Sequence, residues 1–165
     1  MLFSLATPEY SNVQLNTTKV RVHLRSGIAE ILEQHQDLMG KIDNNIIEIE
    51  TNFENKTEKT SFVLQDAVFI VSNEQIKGSD FEGTGIYIYA KRVKEITSSI
   101  SLEEITQEYE EKAKVFETDK QVLANHNMDP LYQNLNTKLF ILKKEVDFLK
   151  KVVSVVKPLK QTFHT

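Results

Sequence analysis

The sequence predicts an α+β chain with the β part first: an N-terminal antiparallel β-sandwich over residues 1–97, then a C-terminal antiparallel two-helix hairpin over residues 98–165. Three observations carry this. From Leu2 to Ile96 about nine short apolar or alternating segments are separated by turn residues and show no helical period, the pattern of a sandwich or barrel. Ser101 followed three residues later by Glu104 is a capping box, in which hydroxyl and carboxylate satisfy backbone N–H groups at a helix start. Beyond Pro130, the residues Leu135, Leu139, Leu142, Val146, Leu149, Val153 and Val156 step alternately by four and three, which is a heptad seam.

The β half begins with Leu2-Phe3-Ser4-Leu5-Ala6, a strand that ends at Thr7-Pro8 because Pro8 has no N–H for a sheet ladder. Residues 19–42 hold the most specific pattern. Val20, Val22 and Leu24 alternate with Arg21, His23 and Arg25, giving one face for a core and one for water. Ser26-Gly27 interrupts the run and Ile28-Ala29-Glu30-Ile31-Leu32 resumes it as the second arm of a hairpin. A polar loop with Glu33, Gln34, His35, Gln36 and Asp37 then leads into Leu38-Met39-Gly40-Lys41-Ile42.

Asp43-Asn44-Asn45 reads as a turn, residues 46–50 as a strand, and residues 52–59 as a loop by composition. Residues 62–65 and 67–71 read as two paired strands, the second apolar enough to be covered on both faces. Residues 77–85 hold three of the five glycines and read as a loop, followed by a strand over 86–90 that residues 93–96 extend.

In the α half, Leu102, Ile105, Tyr109, Ala113, Phe116 and Leu123 mark one face of an amphipathic first helix. The stretch from Asn125 to Pro130 stops it, Pro130 suits the first turn of the next helix, and Pro158 is expected to end that one. The short loop makes the two helices antiparallel. Residues 102–124 carry three lysines against seven acids, whereas residues 130–160 carry seven lysines against Glu145 and Asp147, so the helices have opposite charge and complement each other side by side. The seam needs cover from the first helix, from the sandwich or from another protein, since a lone hairpin has little interior.

The totals exclude several classes. A hydrophobic content of 40% fits a modest core with an extended appendage. No run reaches the roughly 18 to 20 apolar residues of a membrane span, so the sequence reads as soluble or peripheral. The opening residues lack the basic flank of a secretory signal and the Arg- and Ser-rich character of a transit peptide. With no cysteine there is no disulfide framework and no thiolate metal site.

No catalytic, cofactor or metal constellation stands out. His23, His35, His126 and His164 lack ligand spacing and read as surface or loop histidines. Gly83-Thr84-Gly85 resembles a fragment of a phosphate loop but precedes a strand rather than a helix, so it reads as a turn. The second helix is basic yet carries no arginine and no interleaved aromatic stacking pattern, so nucleic acid is not an expected partner. Its lysine pairs read first as a solvated helix face.

Taken in order, Ser26-Gly27-Ile28, Ile31-Leu32-Glu33-Gln34-His35, Leu38 and Gly40-Lys41-Ile42 resemble the epsilon subunit of F-type ATP synthases, a small rotor protein of the central stalk. That family runs from a Gly-Glu hairpin through an Ile/Val-Leu-Pro-x-His element to Leu and a Pro-Gly-x-Ile turn. The resemblance continues in residues 62–72 and 85–90 and in the order of elements, over nearly the whole chain. Glu33 or Gln34 stands where the family has proline before its histidine, Met39-Gly40 replaces Pro-Gly, and residues 66–68 lack the expected glycines.

The resemblance implies a non-catalytic subunit, without cofactor or metal, of an F-type or F-type-like complex coupled to proton transport and ATP synthesis or hydrolysis. It implies cytoplasmic residence, peripheral on the inner face of the cell membrane. The implied partners are a gamma-type shaft, an alpha/beta ATPase head, and a membrane rotor ring or its replacement. By family position His35, Leu38 and Met39 would face shaft or rotor. Lys138, Lys143, Lys144, Lys150 and Lys151 would form the inhibitory face toward acidic residues of the head. The ATP-binding motif of some members includes an arginine in the hairpin; the last arginine here is Arg92, so no such site is expected. The alternative from another class is a β-sandwich adaptor that dimerises or docks on a partner through its heptad hairpin.

Overall fold

The computed structural model describes residues 1–9, 13–73, 83–126 and 129–162. The chain divides into two units, Met1–Ser98 and Ser99–Thr165. The first holds eight strands: β1 (Leu2–Ala6), β2 (Val13–Asn16), β3 (Lys19–Leu24), β4 (Gly27–Ile31), β5 (Leu38–Ile42), β6 (Asn45–Phe53), β7 (Lys56–Ser72) and β8 (Gly85–Ile96). They follow the order β2-β1-β8-β7-β6-β3-β4, with β5 also paired to β7. All neighbours are antiparallel except β1 and β8, which run parallel.

Two layers arise from one bend shared by three strands. β5 and β6 lie end to end along β7, with Ile42 opposite Ala67 and Asn45 opposite Leu64. Asp43 and Asn44 fall between them, opposite Gln65 and Asp66, and both Asn44 (φ 45°) and Asp66 (φ 49°) take left-handed backbone. Such a residue interrupts the two-residue alternation. In β7 the core side chains are Phe62 and Leu64 before the bend but Ala67, Phe69 and Val71 after it. In β5–β6 they switch from Ile42 to Ile47 and Ile49, and in β8 from Ile86, Ile88 and Ala90 to the half-buried Val93. Gln65 Nε2 donates to Asn44 Oδ1 at 3.2 Å and the Asp66 N–H to Asp43 Oδ1 at 3.4 Å, which ties the corner together. The Asp43-Asn44-Asn45 cluster is therefore a bend through which the chain continues, not a reversal.

A single core results, joined by Phe3 and Leu5 of β1, Val20 and Val22 of β3, and Ile31 of β4. Residues 62–65 and 67–71 do not pair with each other; both belong to β7 and pair with β8. Residues 52–59 are not a loop either, since β6 and β7 pair out to Phe53 and Lys56. Between them Glu54 (φ 47°) and Asn55 (φ 67°) make a two-residue turn with both residues left-handed, the form whose twist matches a hairpin. The glycine-rich segment read as a loop lies outside the described residues from 77 to 82, and its end, Gly85, opens β8.

The second unit is a helical hairpin. Helix α1 (Leu102–Asn125) starts at Ser101, whose Oγ accepts the Glu104 N–H at 3.2 Å. A 3-10 turn (Pro130–Tyr132) is capped by Asp129 and leads into α2 (Gln133–Thr162). Pro158 lies inside α2 rather than ending it. The carbonyl that it deprives of a donor, four residues back, belongs to the exposed Ser154, where water can satisfy it. Leu139, Leu149 and Val156 of the seam are buried and its other members half-buried, so no seam position is exposed.

Candidate functional site

The two outer faces of the sandwich differ in chemistry. One, formed by β4, β3, β6 and the first half of β7, carries a ladder of Lys and Arg to Glu ion pairs and one His–Glu hydrogen bond. Arg21 Nε lies 3.0 Å from Glu30 Oε2, Lys19 Nζ 3.5 Å from Glu50 Oε2, Lys59 Nζ 3.6 Å from Glu50 Oε1, and His23 Nε2 2.9 Å from Glu48 Oε1. Nearer the bend the same face carries Ile46 opposite the fully buried Val63.

The other face, formed by β5, the second half of β7, β8 and β1, presents apolar side chains together with the exposed Lys41 opposite Val68. Met39 is opposite Ile70, Ile70 opposite Tyr87, and Val68 opposite Tyr89, so these five make one continuous patch. Met39 is 74% exposed, Tyr89 53%, Ile70 45% and Val68 43%. The composition of residues 67–71 demands cover on both faces, yet the chain covers only the face of Ala67, Phe69 and Val71. Large contiguous exposed patches of this kind mark docking surfaces.

At the end of this face lies the loop 32–37, between β4 and β5, pinned by a buried threonine fifty residues away. Thr84 is fully buried and all its polar groups are engaged. Its N–H donates to Glu33 Oε1 at 2.9 Å, its carbonyl accepts the Leu2 N–H at 3.1 Å, its hydroxyl accepts the Gln34 N–H at 2.7 Å and donates to Asn73 Oδ1 at 2.6 Å. Asn73 Nδ2 in turn donates to the His35 carbonyl at 2.6 Å and to Asp37 Oδ1 at 3.1 Å. Gln34 takes left-handed backbone (φ 64°), and the His35 N–H closes a turn onto the Leu32 carbonyl at 3.1 Å. His35 Nδ1 donates to the Gln36 carbonyl at 2.7 Å.

The Glu33 carboxyl sits below its ordinary pKa because the Thr84 N–H favours the carboxylate, with help from the Met1 ammonium 3.0 Å from Oε2. A carboxylate with a depressed folded pKa contributes stability that is present above its unfolded value and lost as the pH falls through the folded one. The expected result is that Glu33→Gln, which keeps an acceptor for Thr84, flattens the fall of the melting temperature below about pH 4.3. Melting curves from pH 7 to 3 check this, and parallel curves for the two proteins would exclude a role of Glu33 in acid sensitivity.

The sequence-derived contact residues divide between the two sides of β5. His35 is half-buried in the pinned loop, Leu38 packs against the core, and Met39 stands in the apolar patch. The reading from sequence missed Val68, Ile70, Tyr87 and Tyr89. The signal for them was present in the unbroken apolar run of residues 67–71. It missed Thr84 as well, for which a lone threonine between glycines gives no signal.

The five candidate lysines of α2 do not form one free cluster. Lys138 Nζ lies 3.0 Å from Asp119 Oδ2 across the hairpin, and Lys143 Nζ lies 3.4 Å from Asp147 Oδ1 and 6.0 Å from the centre of the Phe116 ring. Lys144 Nζ lies over the Phe140 ring at 5.5 Å, Lys150 is exposed and Lys151 half-buried. The second pair between the helices, Lys112 to Glu145 at 2.9 Å, runs against the net charges of the two helices. Among the described residues no group of three or more His, Cys, Asp or Glu side chains could hold a metal ion. No described helix is long and apolar enough to cross a membrane.

No protein-family profile and no curated protein sequence matches the chain. Solved structures do. A chain of the Euglena gracilis mitochondrial ATP synthase, seen in its OSCP/F1/c-ring assembly in rotational state 1, superposes with a TM-score of 0.56 at 12% identity, over 93% of this chain and 79% of that one. A chain from the central stalk and c-ring of the Tetrahymena thermophila mitochondrial ATP synthase matches with a TM-score of 0.42 at 11% identity, over 63% of this chain and 68% of that one. The Euglena match shows a shared fold that spans both units.

Proposed function

We propose that this chain is a non-catalytic central-stalk subunit, of epsilon type, in an F-type or F-type-like rotary ATPase. The patch of Met39, Val68, Ile70, Tyr87 and Tyr89 docks on the gamma-type shaft, and the neighbouring loop 32–37 faces the shaft and the membrane rotor. The observation that carries the reading is this exposed apolar face, on a fold shared with a chain of a mitochondrial ATP synthase assembly. Burying an apolar side chain of this size stabilises by about 1.5–3 kcal/mol, enough for a few such residues to anchor an interface. No seam residue is exposed, three being buried and four half-buried, which weighs against the adaptor reading.

Site-specific photo-crosslinking tests the assignment. A photoreactive residue at position 70 is expected to capture the shaft subunit in native cells, whereas one at position 21, on the charged face, is not. Equal capture at both positions, or capture of no ATPase chain, would contradict it.

The hairpin has the regulatory part in this reading. Its lysines meet acidic residues of the head and slow ATP hydrolysis. Lys138 is held by Asp119 on the facing helix and Lys143 by Asp147 on its own, so in this reading these lysines exchange partners when they meet the head. Reversing Lys143, Lys144 and Lys150 to Glu is expected to raise the turnover of an inhibited complex several-fold, since each desolvated charge pair lost weakens the contact by a few kcal/mol at most. Unchanged turnover removes the brake and leaves the stalk role intact.

A further inference from the structure

We infer that Thr84 is a positioning residue for the partner-contacting loop 32–37, acting as a latch that sets the loop before the partner arrives. This rests on the proposed central-stalk reading, in which that loop and Met39 face the shaft. Thr84 joins three separate chain segments: Leu2 of β1, Glu33 and Gln34 of the loop, and Asn73 just past the end of β7. Asn73 extends the latch to the His35 carbonyl and the Asp37 carboxylate, so the buried hydroxyl is linked, directly or through Asn73, to three loop residues, and the Thr84 N–H holds a fourth, Glu33.

Besides the Thr84–Asn73 network, the loop is held by the Met1–Glu33 ion pair and by its own turn from the His35 N–H to the Leu32 carbonyl. Leu32, Glu33, Gln34, Gln36 and Asp37 are exposed, so packing does not fix their positions. Gln34 holds a left-handed backbone that a residue with a Cβ adopts only when its surroundings impose it, and the bond from its N–H to the Thr84 hydroxyl supplies that constraint. A loop held in one conformation before binding avoids the entropy cost of being ordered on contact. Thr84→Val keeps the shape of the buried side chain but leaves the Gln34 N–H and Asn73 Oδ1 without this partner.

The test compares Thr84→Val, Thr84→Ser, Asn73→Ala and Met39→Asp with the wild type. Each is read by hydrogen exchange at the Gln34 amide and by retention in the ATPase complex purified from native cells. Thr84→Val is expected to speed Gln34 exchange at least tenfold and to lower retention about tenfold, with Thr84→Ser restoring both. Asn73→Ala, at an exposed position, is expected to move both readouts in the same direction and keeps the test open if Thr84→Val fails to fold. Wild-type exchange or wild-type retention in Asn73→Ala and in folded Thr84→Val overturns the latch. Met39→Asp separates the two ideas: if it is fully retained while the latch variants are lost, the apolar-face docking fails and the latch stands.

Discussion

Replacing Met39 and Ile70 together by Asp is expected to release the chain from its complex while leaving its fold intact. The two residues are opposite each other on β5 and β7 and both are exposed, so in the free chain the carboxylates remain in water. The two carboxylates repel across the strand pair and aspartate is a poor strand former, so the double variant is expected to lose about 1–2 kcal/mol while staying folded. In a docked complex the same carboxylates would lose their hydration against an apolar partner. An interface anchor removed in this way costs about 2 kcal/mol or more, roughly a thirtyfold loss of affinity per site. Arg21→Ala on the charged face is the control and is expected to bind as the wild type does. Melting temperature and co-purification are the two measurements, and full retention of the double variant would show that this face is not the docking surface.

The second large effect lies inside the sandwich, where Gly40 faces Phe69 across β5 and β7. A Cβ placed on Gly40 would sit 2.6 Å from Cε1 of the fully buried Phe69 ring, closer than such atoms approach. Gly40→Ala therefore costs about 1–3 kcal/mol by overpacking, although an alanine at a strained-free backbone position would otherwise stabilise by about 0.4–1 kcal/mol. Phe69→Ala costs about 3–5 kcal/mol through its cavity. With the ring gone the clash goes too, so Gly40→Ala in the Phe69→Ala background is expected to be neutral or mildly stabilising. Denaturant titrations of the four proteins measure this coupling; additive costs would refute a direct Gly40–Phe69 contact as the reason for glycine here.

Much of the fold was legible because its signals are local. Val20 and Val22 alternate with charged residues and are buried; Ser101 caps α1; no residue of the seam from Leu135 to Val156 is exposed. The failures share a cause. Asn44 and Asp66 take the left-handed backbone that also makes reversals, and only the distant pairing of Ile42 with Ala67 and Asn45 with Leu64 turns that backbone into a bend between layers. Residues 52–59 look like a loop because the tip of the β6–β7 hairpin is exposed on both faces, which leaves no apolar alternation to read. The candidate site was legible only in part. Met39 followed from its place after His35, but the rest of the patch depends on β7 and β8 aligning Ile70 with Tyr87 and Val68 with Tyr89. The Thr84 latch spans about fifty residues and leaves no periodic trace at either end.

The measurement that tests the central claim most directly is purification of the tagged full chain from its native cells, with the co-purifying chains identified and counted by mass spectrometry. Alpha-, beta- and gamma-like ATPase subunits, with one copy of this chain per gamma-type shaft, are the expected result. Recovery of the chain without any ATPase subunit would contradict the central-stalk account.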